Sequence, residues 1–265
     1  MPELDERNSD LEDGEAGRPG PRERRWPRRI ALTLLIVLGL AAIGGGASGL
    51  VVIHDRKPTP AQVTAAGQRA LAQQWRWLTA GKIFPATVSY DSNLGFQMTA
   101  VLVGIAPQAP CATAFDKAAA RVLDAAGCVT VLRATYADQS GTALATVGIA
   151  VMRGTGAADS AFGKVVRGNL GGLLPVSFPG TIASWFTRGA RETDGVQETS
   201  SPYLVFYAAG YADGRSTTSG APLASGGNTS TGETVTGDLA NSLTDALVTT
   251  FTVPANPCAD REVRC

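Results

Sequence analysis

The sequence predicts an α+β protein: one transmembrane helix, then an extracytoplasmic domain with a ferredoxin-like (βαββαβ) antiparallel sheet and helices on one face. Three observations lead there. Ile30 to Ile53 is an apolar run of 24 residues without a charged side chain. Beyond it, β-prone segments alternate with segments of helical periodicity. The string Val103-Gly104-Ile105-Ala106 recurs as Val147-Gly148-Ile149-Ala150, each time followed by a helical segment and another strand. Two such units suggest a core with pseudo-two-fold symmetry.

Residues 1–29 read as a disordered cytoplasmic tail, rich in Asp, Glu, Arg, Gly and Pro and without apolar periodicity. Residues 30–53 are long enough to span the hydrocarbon core, which needs about 20 apolar residues. Arg22, Arg24, Arg25, Arg28 and Arg29 stand directly before the run. Basic residues at a membrane end stay cytoplasmic, so they orient the chain with its N-terminus inside and the C-terminal domain outside. A cleaved signal peptide is the rival reading, with Gly44 to Gly49 as the cleavage region. Against it, apolar character resumes at Leu50 to Ile53, and the leader would be long and initially acidic.

Residues 54–81 read as a juxtamembrane helix. Thr59 can cap it and Pro60 suits its first position. Val63, Ala66, Ala70, Leu71, Trp77 and Leu78 form its apolar stripe, and Gly81 is its expected stop. It either stands as a stalk or folds back onto the domain.

Residues 82–213 form the α+β domain. Expected strands are 86–90, 97–106, 129–137, 143–152, 178–186 and 203–211. Residues 116–126 read as an amphipathic helix ended by Gly127, and 157–168 as a weaker one. Residues 214–237 are a flexible Gly/Ser/Thr-rich loop. Residues 238–265 hold a final helix, with Leu239, Leu243, Ala246, Leu247 and Phe251 on one face, and a disulfide loop. That face is expected to dock on the core, with binding to a partner as the alternative.

Cys111, Cys128, Cys258 and Cys265 all follow the apolar run, and an even count outside the membrane reads as disulfides. Were 112–126 one straight helix, its ends would lie ~20 Å apart, beyond the ~7 Å limit for bridged Cα atoms. Cys111 and Cys128 can meet only if the helix starts near Asp116 and residues 111–115 double back. Cys111–Cys128 with Cys258–Cys265 is the preferred pairing. The alternative staples the C-terminal tail to this helix.

His54 is the only histidine and precedes the outer domain. Ser-His-Asp and Cys-His catalysis and imidazole ligation therefore have no candidate in that domain. Acidic and basic side chains balance there, without the basic stripe that nucleic acid requires. Asp116 and Asp124 read as solvated. Glu192, Asp194 and Glu198 cluster as in a cation site, but a solvated hairpin explains them better. A Ser-Lys pair using Lys82, Lys117 or Lys164 has no supporting motif. The sequence thus nominates no catalytic, cofactor-binding or metal-binding residue. It implies no cofactor, and its partners are the lipid bilayer and another envelope protein.

Gly81-Lys82-Ile83-Phe84-Pro85-Ala86-Thr87-Val88, Arg133-Ala134-Thr135-Tyr136-Ala137-Asp138 and Ala145-Thr146-Val147-Gly148-Ile149-Ala150-Val151-Met152 resemble uncharacterised actinobacterial single-pass membrane proteins. The resemblance covers roughly residues 20–215. It implies a charged cytoplasmic tail, one anchor and a cysteine on each side of the first ectodomain helix, as Cys111 and Cys128 stand here. It implies no activity. The expected function is a non-catalytic envelope contact domain. The alternatives are a small-ligand or sensory domain and a carboxylate-based envelope hydrolase.

Overall fold

Thr59 and Pro60 open the first helix, α1 (Pro60–Trp77), through a capping box. The Gln62 backbone N–H donates to Thr59 Oγ1 at 3.3 Å, and Gln62 Oε1 accepts from the Thr59 backbone N–H at 2.8 Å. The computed structural model describes residues 59–92, 94–215, 224–225 and 234–252. The 30–53 run, its arginine collar, the 1–29 tail, Cys258 and Cys265 lie outside them. No helix among the described residues is long and apolar enough to cross a membrane.

α1 folds back at its C-terminal half. Leu71 is buried, the Tyr203 hydroxyl donates to its carbonyl, and Gln74 Nε2 donates to Thr250 O at 3.3 Å. Trp75 packs on the core while Trp77 stays half exposed. Gly81 does not end this helix; it sits within a second, short one, α2 (Ala80–Ile83).

A seven-stranded sheet follows, ordered β1-β2-β3-β4-β6-β5-β7. Its strands are β1 (Thr87–Asp91), β2 (Gln97–Ala109), β3 (Cys128–Asp138), β4 (Ala143–Met152), β5 (Arg191–Glu198), β6 (Tyr203–Tyr211) and β7 (Ala224–Ser225). All neighbours pair antiparallel except β5 and β7. The α+β class and the antiparallel sheet match the expectation, and the βαββαβ order does not. A ferredoxin-like sheet interleaves its two halves, whereas β1 to β4 here lie side by side in chain order. The reason lies at residues 111–127. Helices α3 (Cys111–Ala114) and α4 (Lys117–Ala126) leave the end of β2 and return beside it. The Cys111–Cys128 disulfide, with Cα atoms 6.3 Å apart, closes that excursion. The chain thus re-enters next to β2 instead of crossing over a strand.

Helices also cover both faces rather than one. On one face α4 and α5 (Thr155–Arg167) enclose Leu123, Val131, Ala150, Leu204 and Phe206. On the other, α6 (Val235–Thr250) packs Leu239, Ala240, Leu243 and Leu247 against Tyr136, Val147, Ile149 and Val205. The final helix therefore docks, starting three residues earlier than expected. The 214–237 segment contributes β7, paired with β5, at its described residues. The expected strand at 178–186 is a series of turns, held by bonds such as Thr181 N to Phe178 O at 3.2 Å.

The repeated glycines lie on one face. A Cβ on Gly104 would come within 2.5 Å of the Phe178 ring, and one on Gly148 within 2.8 Å of Leu173. Both leave room for residues 169–178, an extended strap laid over the sheet. Thr135 and Thr146, buried at the centre, share a 2.8 Å hydrogen bond. Thr135 Oγ1 also donates to Val176 O at 2.8 Å, and Val176 N donates to Thr146 Oγ1 at 3.0 Å.

Candidate functional site

The strap positions a charged cluster at the start of α4. Asp116 N donates to Gly172 O at 2.7 Å, and Leu174 N to Ala114 O at 2.9 Å. Gly172 takes φ +110, where a side chain would be strained and would meet the Asp116 side chain. Asp116 occupies the N-cap position of α4 but makes no side-chain capping bond. Its carboxylate faces arginines instead: Arg191 Nη2 lies 2.8 Å from Oδ2 and Arg188 Nη2 2.8 Å from Oδ1. Arg191 Nε reaches Asp194 Oδ2 at 3.2 Å, and its Nη1 donates to Leu173 O at 3.2 Å. Arg191, Asp116 and Asp194 keep only 18%, 16% and 13% of their side-chain surface, whereas Arg188 keeps 71%. The inner pairs are thus shielded from water, and the Arg188 arm is screened by it.

Burial raises the Asp194 carboxyl above its ordinary value. Arg191 opposes that shift, Asp116 adds to it, and the Gly172 N–H opposes it. Arg133, part-buried on β3, has its pKa lowered by burial; its Nη1 donates to Leu174 O at 3.5 Å.

Above this cluster opens a groove of about 430 Å³, lined by Phe115, Asp116, Lys117, Leu174, Pro175, Ser177, Phe186, Thr187 and Arg188. Lys117 and Arg188 are exposed at its mouth. Next to it in the chain, Trp185 is 73% exposed and Ile182 is 44% exposed. Both lie at the sheet end that carries the β1–β2 and β3–β4 turns. Ile182 rests on Gly141 and Trp185 beside Gly214. At the same end, Arg215 stacks on Tyr211 with its guanidinium carbon 4.4 Å from the ring centroid. A second, smaller cavity of about 60 Å³ lies between α6 and Pro85, Val88 and Tyr136.

The sequence expectations fare unevenly here. Cys111 and Cys128 are bonded. Asp116 is not solvated: it reaches Arg188 and Arg191 because the chain doubles back before α4. Asp124 is exposed, as expected. Glu192, Asp194 and Glu198 do lie on a hairpin arm, β5, which pairs with β6, but only Glu198 is exposed to solvent. Glu192 accepts from Thr236 Oγ1 at 2.8 Å, Asp194 pairs with Arg191, and Glu198 is exposed. Among the described residues no group of three or more His, Cys, Asp or Glu is placed to hold a metal ion. Lys117 and Ser177 line one groove, but no hydrogen bond among the described residues joins them. The sequence reading missed Arg188 and Arg191. Arg191 and Asp194 stand three apart in a cluster of charges, and that pairing was the available signal.

Comparison with protein-family models, with curated proteins and with solved structures finds no match. The fold and the groove therefore define an α+β domain with a partly cationic surface cleft.

Proposed function

We propose that this chain is a non-catalytic contact domain, held outside the cell membrane by a single-pass anchor at 30–53, and that it docks another envelope protein at the groove. The observation that carries the reading is the cleft flanked by Lys117 and Arg188, whose lining residue Phe186 follows the exposed Trp185 in the chain. Exposed aromatic and arginine side chains around a depression have the composition of interface hot spots. The buried Asp116–Arg191–Asp194 cluster supports it by holding the cleft wall rigid, which lowers the ordering cost of binding. The apolar run and its arginine collar support the location.

The test is a photo-crosslinking amino acid placed at Trp185 in the full chain, in its own membranes. A discrete cross-linked partner is expected, lost when Lys117→Glu and Arg188→Glu are combined. Equal labelling from a control position at the exposed Asp159 on α5 would sink the proposal.

A small anionic ligand is the second reading, because the cleft volume falls in the range of ligand sites, roughly 300–1,000 Å³. It requires Lys117→Glu to abolish binding of a small carboxylate or phosphate compound by the purified chain, without any cross-linked protein at position 185.

A further inference from the structure

Among the described residues β1 is the outermost strand on its side of the sheet, with β2 as its one neighbour. Leu102 N donates to Ala86 O at 2.9 Å, and Ser92 N to Phe96 O at 2.8 Å. Backbone groups alternate direction along an antiparallel strand. Residues 86, 88, 90 and 92 therefore face β2, and Thr87, Ser89 and Asp91 turn their N–H and C=O groups outward. The side chains of these three are exposed too. The pairing of β1 with β2 is free of bulges. The strand holds neither proline nor lysine, the residues that usually block an edge. On the opposite side of the sheet, β7 covers the outer edge of β5 at Gly195 and Val196.

We infer that β1 pairs with β1 of a second copy of this chain, antiparallel about a two-fold axis at Ser89, to make one continuous sheet. The strand is complementary to itself in that register. Ser89 opposes the partner's Ser89, and Thr87 opposes the partner's Asp91. These are hydrogen-bonded pairs, so the three of them supply about six interchain N–H···O bonds. Val88 falls opposite the partner's Tyr90. The one charged side chain of the strand, Asp91, meets a threonine hydroxyl and not its own copy, which avoids like-charge repulsion. Beyond the strand, Leu94 is 77% exposed and Phe96 64% exposed. Both stand on the turn that joins β1 to β2, at the end of the proposed seam. The inference needs nothing from the groove.

The test is a cysteine at the axis. Opposed residues of a hydrogen-bonded pair have Cα atoms about 5.5 Å apart, within the range a disulfide bridges. In the full chain with Cys258→Ser and Cys265→Ser, Ser89→Cys is oxidised in membranes and run on a non-reducing gel. A covalent dimer is expected as the major species. Thr87→Cys should yield only a trace, because two copies of residue 87 stand roughly 13 Å apart along the strand direction. Light scattering of the detergent-solubilised wild type should give two chains per particle, and Ser89→Pro should give one. That proline removes only an outward N–H and leaves the β1–β2 ladder intact. Absence of the Ser89→Cys dimer, equal cross-linking from Thr87→Cys, or a wild type that is monomeric would overturn the inference. A monomer that instead takes up an extended peptide at this edge would overturn it as well.

Discussion

Asp194 shows how much one buried carboxyl can weigh. Burial raises its pKa from an ordinary 3.8, and the Arg191 guanidinium offsets only part of that. The folded chain therefore holds the Asp194 proton more tightly than the unfolded chain does. The stability tied to that proton is fully present below the unfolded value of 3.8 and is lost as pH rises through the folded value. Asp194→Asn keeps the shape and removes the titration. The unfolding free energy of wild type, measured against the Asn variant in urea, should fall as pH rises from 3.8 through the folded value and level off above it. Taking the difference between the two proteins cancels groups that titrate alike in both. A flat difference would show that Arg191 compensates burial in full, and a rising one that it over-compensates. Buried ion pairs often add little net stability, because desolvation opposes the attraction. Their contribution here is positional: Asp116 and Asp194 hold Arg191, and Arg191 holds the Leu173 carbonyl of the strap.

Among the elements, the α3–α4 excursion is defined by its closure. Cys111 and Cys128 stand 17 residues apart in sequence with Cα atoms 6.3 Å apart. A cross-link over a loop of that size restricts the unfolded chain by about 3 kcal/mol in the chain-entropy account. Cys111→Ala with Cys128→Ala should lower stability by about that amount in denaturant titration under oxidising conditions. A loss below about 1 kcal/mol would mean that the unfolded segment is already constrained, as residual structure can do.

Much at this scale was legible in the sequence. Local chemistry dictates it: the Thr59-Pro60 start, the Gly127 stop with φ +91, the turn around Gly141 with φ +70, and the apolar runs at 143–152 and 203–211. The break at Asp116 followed from disulfide reach alone. Other features depend on distant residues. The charged stretch 191–198 is a strand because Arg191 and Asp194 neutralise each other against Asp116, a partner 75 residues upstream of Arg191. Residues 178–186 carry apolar side chains yet turn repeatedly, since Ala183 and Phe186 pack inward while Trp185 points out. The groove was not legible, because its walls come from three separated segments. The repeated Val-Gly-Ile-Ala string marked a real correspondence of a different kind: two glycines that clear a path for one strap, not two halves of a symmetric fold.

For the domain as a whole, the two cores share their strands. Side chains alternate along β3, β4 and β6, so Leu132, Ile149 and Val205 face α6 while Val131, Ala150 and Leu204 face the other helices. Neither face can lose its helices without exposing strands that the other face needs. The sheet and both helical layers should therefore unfold in one transition, although they lie in separate apolar clusters. Leu123 on α4 and Leu243 on α6 probe the two sides, 0% and 2% exposed. Each Leu→Ala change removes a core side chain and leaves a cavity, costing about 2–5 kcal/mol. Both should shift the same transition, and because the sheet separates the two sites, the double variant should lose the sum of the two within about 0.5 kcal/mol. Fluorescence and circular dichroism followed in one denaturant titration give the check. Coincident curves in wild type and in both single variants are expected. Two resolved steps, with Leu243→Ala moving only one, would mean that α6 and its face form a separate folding unit and that the shared strands do not couple the layers.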